Sequence, residues 1–402
     1  MTAAGTPSGE AITVGVALVA AMASYALFAG ADFGGGIWDL LAGSSPRGRH
    51  ARDAIDASVT PVWEGNQVWI VLGLVLLWTG FPSAFAAVSI TLFVPLAASL
   101  LGLVLRGAGF AFRHEAIRPA SKRLTGALFA SSSLLAPFFL GTAVGAVTTG
   151  RVPGHSHGLS TAAWTTPTAL VTGGLFVAAC AFIGAVYLVG DSNRRGHDEL
   201  VRYFGHRAIL GGTATGVLAG VNLVLLHGSA PYVFRRLTGV ALPLVVVSVL
   251  AGAAALTLIV LRRQWLLRIF GALSIAAVLA AWGLAQYPWL FPTSLSIRAA
   301  AAPGASQVAE IVVIAMAAFL VVPSFALLYW LQQHGRLEHD SASVQLRRAA
   351  RAQDLAGLPG PSRTTTRPPR LLTGAIAAIA AVEIVHEIRR RHRRPGRPAG
   401  SR

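Results

Sequence analysis

Nine apolar stretches, each close to the roughly 20 residues a helix needs to cross a bilayer, constrain this chain more than any other feature. They fall at about 10–40, 58–80, 82–112, 124–148, 167–190, 208–227, 240–261, 265–286 and 306–333. Composition agrees: 54% of the 402 residues are hydrophobic and 12% charged, against about 25% charged in a soluble domain. The expected fold is all-α, a polytopic membrane protein with about nine transmembrane helices packed in bundles.

The loops set an orientation. Arg47, Arg49 and Arg52 follow the first stretch, and Arg113, Arg118, Lys122 and Arg123 the third. Arg194, Arg195, Arg202 and Arg207 follow the fifth, and Arg262, Arg263 and Arg268 the seventh. The alternate loops hold only Arg151, Arg235, Arg236 and Arg298. Basic loops stay on the cytoplasmic side, so the N-terminus is expected outside and the C-terminal tail inside. The same distribution accounts for the formal charge of +17 without nucleic acid, since no basic surface is interleaved with aromatics on which bases would stack. No basic n-region precedes the first apolar run, and that run holds Asp32, which argues against a cleaved signal peptide.

Composition also divides the chain. Residues 1–338 form the membrane-embedded domain, and 339–402 a basic tail rich in proline and arginine. Within it "GLPGPSRTTTRPPR" reads as a flexible linker. Residues 371–388 then give an apolar run ending in Glu383 and His386, followed by clustered arginines. A tenth crossing would carry those arginines outside, so the expectation is a helix lying on the anionic inner leaflet. The alternative is a mostly disordered tail.

Ionisable residues at membrane depth are costly and face a protein interior or a watered path. Asp32 lies seven or eight residues before the cytoplasmic end of the first stretch. Glu64, in "PVWEGNQVWIV", lies about six residues into the second, and Arg106, in "LGLVLRGAGFAF", about six short of the third's end. At 1.5 Å per residue all three sit roughly 9–12 Å inside that face, on consecutive helices that short connections make neighbours. Two readings follow. Arg106 pairs with the acids as structural glue, because buried ions must be paired; or Asp32 and Glu64 are stations on a proton path. Trp63, Asn66 and Gln67 flank Glu64 as supporting groups. The glycines of "GADFGGG" divide similarly, between close helix packing and room for a quinone or haem edge.

Cys180, alone and inside an apolar stretch, reads as a packing residue with no disulfide or CxxC site. Membrane histidines can ligate haem, but here every histidine falls in a loop, at a segment end or in the tail. His155 and His157, in an external loop, read as solvated rather than metal-binding. The expectation is that this chain ligates no haem and no metal.

Once these residues are laid out, the chain resembles subunit II of the cytochrome bd quinol oxidases. The similarity is carried by "GADFGGGIWDLL", "PVWEGNQVWIVLGLVLLWTGFPSAFA", "LLGLVLRGAGFAFR", "QYPWLFPTSLSI" and "FLVVPSFALLYW", in family order over about 1–338. The resemblance implies a multi-pass protein of a bacterial plasma membrane. It implies a heterodimer with subunit I, which holds haems b and d and reduces O2 to water with electrons from quinol. Subunit II then ligates no haem, supports its partner and contributes to proton uptake from the cytoplasm, as the non-haem part of an electrogenic quinol oxidase. Acids corresponding to Asp32 and Glu64 are associated with the proton route, many relatives carrying aspartate at the second. Some members hold a structural quinone in this subunit. Two rivals are a proton-coupled secondary transporter, against which no inverted repeat or matched broken helices appear, and a purely structural membrane partner.

Overall fold

The computed structural model describes residues 6–43, 45–59, 67–115, 119–154, 158–263 and 265–333. The tail beyond 333, with the expected boundary at 338/339 and the helix at 371–388, lies outside the described residues. What is described is helical apart from one two-stranded hairpin. In chain order the helices are α1 (Gly9–Leu40), α2 (Pro46–Val59), α3 (Val68–Gly80), α4 (Pro82–Thr91), α5 (Phe93–Glu115), α6 (Pro119–Thr148), α7 (Thr161–Trp164), α8 (Pro167–Arg194), α9 (Asp198–Ser229), α10 (Pro231–Leu237), α11 (Leu242–Val260) and α12 (Leu267–Gln286). The hairpin β1 (Trp289–Phe291) and β2 (Leu295–Ser296) follows, then α13 (Ile297–Ala300) and α14 (Gly304–Gln333).

The helix ends follow local chemistry. Ser8 caps α1, its hydroxyl accepting from the Ala11 amide at 3.2 Å. Thr166 caps α8 the same way on Ala169, with Pro167 in the first turn, where its missing N–H costs nothing. After α8 the chain turns at Gly196, whose φ of +73° is open to glycine without strain.

Among the described residues seven helices are long and apolar enough to cross a membrane, and up to eight if a bent pair counts as one span. That pair is α3 and α4, which turn by 117° at Phe81. Here the structure differs from the expected spans 58–80 and 82–112. Pro82 opens a new helix at the turn, where the expected spans also part, and the expected span 82–112 is divided again at Leu92 (φ −106°, ψ 24°). The apolar run there is continuous, but proline cannot continue a helix hydrogen-bond ladder. As described, α3 has 13 residues, about 20 Å of rise.

Packing centres on α1, which lies against α3, α6, α8 and α12; α8 in turn packs on α6 and α9. Between lipid-solvated helices small residues permit close approach. A Cβ built on Gly34 would stand 2.0 Å from the Cys180 carbonyl oxygen, and one on Gly184 2.6 Å from the Gly34 Cα. At Gly34 and Gly36 the glycine run therefore serves close packing, and Cys180, buried in the same contact, is a packing residue. Gly34→Ala should force α1 from α8 and lower the thermal midpoint by the equivalent of about 1–3 kcal/mol of overpacking or more. Gly216 meets nothing within 4 Å, so Gly216→Ala should leave the midpoint unchanged or raise it. Equal midpoints for the two variants would contradict the close contact.

Candidate functional site: a polar stripe on the first helix

α1 carries Tyr25, Asp32 and Asp39 at intervals of seven residues. Seven residues are close to two helical turns, so the three share one face, each about 10.5 Å further along the axis. Around the middle residue three helices close. Asp32 is 4% exposed and Arg106, from α5, 3%. The Arg106 guanidinium donates from Nη1 to Ser133 Oγ of α6 at 2.5 Å and from Nη2 to the Asp32 carbonyl oxygen at 2.6 Å. Its Cζ stands 5.0 Å from the centre of the Phe33 ring, within cation–π range. Gly36 makes the room: a Cβ there would lie 2.0 Å from Ser133 Oγ and 3.0 Å from Arg106 Nη1.

Two turns toward the helix end, the Asp39 carboxylate forms an ion pair with Arg52 of α2 at 3.2 Å, with the arginine about one-third exposed. Two turns the other way, Tyr25 meets Phe33 edge-on at 6.4 Å, and its hydroxyl is buried with no hydrogen-bond partner. The stripe thus runs from a partly exposed ion pair, through a buried acid and arginine, to a buried phenol.

Asp32 and Arg106 are brought together, with the guanidinium on the main-chain oxygen of Asp32. Gln67 stands half-buried at the start of α3 with no side-chain capping bond. Trp63, Glu64 and Asn66 lie outside the described residues. Trp69 stacks on Phe28 at 5.9 Å, which fastens the start of α3 one turn from Asp32. Sequence reasoning passed over Asp39 and Tyr25, although the heptad interval from Asp32 was there to find. It also passed over Ser133, which no pattern marks, and two further clusters. Asp191 of α8 bonds both Arg194 and Arg268, and Arg268 also donates to the Tyr187 carbonyl at 3.1 Å, joining α8 to α12. Thr79 donates to Glu310 at 2.6 Å, joining α3 to α14.

Among the described residues no group of three or more His, Cys, Asp or Glu is placed to hold a metal ion. The rings of His50 and His197 come within 5.6 Å, but both side chains are exposed, on α2 and just before α9.

Fold and stripe together define a multi-pass helical membrane subunit with a charged cluster buried among three of its helices. A structure of bd oxidase from Geobacillus thermodenitrificans shares this fold, with a TM-score of 0.62 at 21% identity over 80% of this chain and 98% of that one. The family model for cytochrome bd terminal oxidase subunit II matches residues 11–332. The chain belongs to that family. In Bacillus subtilis (strain 168) it is similar to the cytochrome bd ubiquinol oxidase subunit 2, at 28% identity over 112 residues, 28% of this chain and 32% of that protein. It is also similar to the putative cytochrome bd menaquinol oxidase subunit II, at 24% over 214 residues, 52% and 60% respectively. The chain spans about a third and three-fifths of those two relatives.

Proposed function

We propose that this chain is the non-haem-ligating subunit of a quinol:O2 oxidoreductase and supplies protons from the cytoplasm for O2 reduction. Its partner is a haem-bearing subunit I, in a heterodimer. The observation that carries the reading is the stripe Asp39–Asp32–Tyr25, which leads polar groups from a partly exposed end of α1 into the buried interior of the bundle. Steps of about 10.5 Å exceed a hydrogen bond, so protons move between stations along water, and the acids hold and release them. Glu64 belongs to the same route as a second acid. Arg106 fixes the place of Asp32: its bonds to Ser133 and to the Asp32 carbonyl lock three helices around the acid.

Support for a partner comes from α14. Val312, Met316, Phe319 and Leu320 are mostly exposed, an apolar face long enough for a neighbouring helix as well as lipid. A second reading keeps the cluster purely structural, and the three-helix bonding of Arg106 favours it. The two separate by substitution, as argued below.

Co-expression tests the assembly. The chain should co-purify with a haem-bearing membrane subunit and show b- and d-type absorption, whereas the chain expressed alone should hold no stoichiometric haem. Haem retained by the isolated chain would overturn the division of labour.

A further inference from the structure

We propose that Arg207 and Tyr203 of α9, beside Trp38 of α1, form a binding site for the phosphate of an anionic phospholipid headgroup. Arg207 was counted with the loop charges, yet it lies inside α9, nine residues past Asp198, about 14 Å along the axis. It is half-buried there, at the edge of the apolar run that begins near residue 208. With the orientation set by the basic loops, that is the level of the cytoplasmic headgroups.

The neighbouring arginines show what is missing. Arg194 and Arg268 share Asp191, and Arg52 has Asp39. Among the described residues Arg207 has no carboxylate partner. Its guanidinium lies 3.4 Å from the centre of the Tyr203 ring and 5.7 Å from that of Trp38. Its hydrogen bond goes from Nη1 to the Tyr203 carbonyl, at 3.3 Å. Nε of Arg207 and the hydroxyl of Tyr203 are both buried without partners. A cation beside hydrocarbon, with two orphaned donors at its side, is costly unless an anion joins it. A phosphate supplies both the charge and the acceptor oxygens, and guanidinium presents a fork that matches them. Trp38 serves as a wall rather than a donor, because its Nε1 already donates to the Ala181 carbonyl at 2.8 Å. Basic pockets between helices on the cytoplasmic side are recognised headgroup sites. Arg202, exposed on the same end of α9, adds to the field that draws an anion in.

The test titrates delipidated complex in detergent with phosphatidylglycerol or cardiolipin, with phosphatidylcholine, and with inorganic phosphate, following the thermal midpoint and the lipid retained by mass spectrometry. The anionic lipids should raise the midpoint, and phosphatidylcholine and inorganic phosphate should not. Arg207→Gln should weaken the anionic lipid effect roughly 10–100-fold in apparent affinity, the value of charge-assisted hydrogen bonds. Tyr203→Phe, which keeps the ring stack and removes one donor, should weaken it about 2–10-fold. Arg235→Gln, on an exposed residue of α10, should change nothing. Unchanged affinity in Arg207→Gln overturns the site, and if that variant does not assemble, unchanged affinity in Tyr203→Phe does so. A full shift from inorganic phosphate alone overturns the assignment to lipid.

Discussion

Asp32→Asn is expected to slow quinol-driven O2 consumption by roughly 10²–10⁴-fold, the usual worth of a positioned proton-transfer group, while the complex keeps its haems. The 2.6 Å bond from Arg106 to the Asp32 main-chain oxygen stays in place in this variant and still holds α5 against α1. Asparagine also keeps the volume and much of the hydrogen bonding of the acid, so that what is lost is the charge and the titratable group. Parallel water-filled routes would move the loss toward the lower end of the range. Glu64→Gln should behave alike, and Glu64→Asp should retain most activity, as the aspartate of many relatives implies. The double change should add little to either single one if both acids serve one path. Haem content and turnover, measured on the same preparations, check this. Full activity in Asp32→Asn would remove the acid from any proton route.

Arg106→Gln should have the opposite signature. Arg106 is 3% exposed and joins α5 to α1 and α6 through two donor bonds. Removing one member of a buried charged cluster typically costs about 3–5 kcal/mol, a large share of the 5–15 kcal/mol that holds a typical domain together. The expected result is loss of the assembled complex, seen as haem content falling with protein yield. Turnover per remaining haem should change far less. Arg106→Lys should rescue only in part, because an ammonium cannot span Ser133 and the Asp32 carbonyl as the fork does. Normal assembly of Arg106→Gln would show that the cluster does not depend on this cation.

The two substitutions discriminate because they act on different atoms of one contact. The route needs the carboxyl of Asp32. The packing needs its carbonyl, the arginine and the glycines at 34 and 36. A purely structural cluster would leave turnover per haem unchanged in Asp32→Asn, whatever happens to assembly.

Much of this arrangement was legible in the sequence because lipid leaves little freedom. A long apolar stretch has to be a helix, and an ion inside it has to face protein, so Asp32 and Arg106 were found from depth alone. Packing that no periodicity records was harder to see. The expected spans already part at residue 81, but the 117° bend there and the further break at Leu92 interrupt a run whose composition looks continuous. Ser133 reads as an ordinary small residue until the guanidinium is placed beside it. Asp39 lies so close to the helix end that it passes for a surface charge, and Arg207 passes for a loop charge although its ring stack draws it into the bundle. Cys180 and the glycine run, by contrast, have the roles that small buried residues usually have.

The most direct measurement is time-resolved proton uptake by the complex reconstituted in vesicles, with a pH indicator confined to one side of the membrane. Vesicles of known orientation should take up protons from the cytoplasmic face in step with O2 reduction. In Asp32→Asn, uptake on that face should slow in the same proportion as turnover, with haem content unchanged. Uptake that keeps its rate in Asp32→Asn, or protons drawn from the opposite face, would contradict a route along α1.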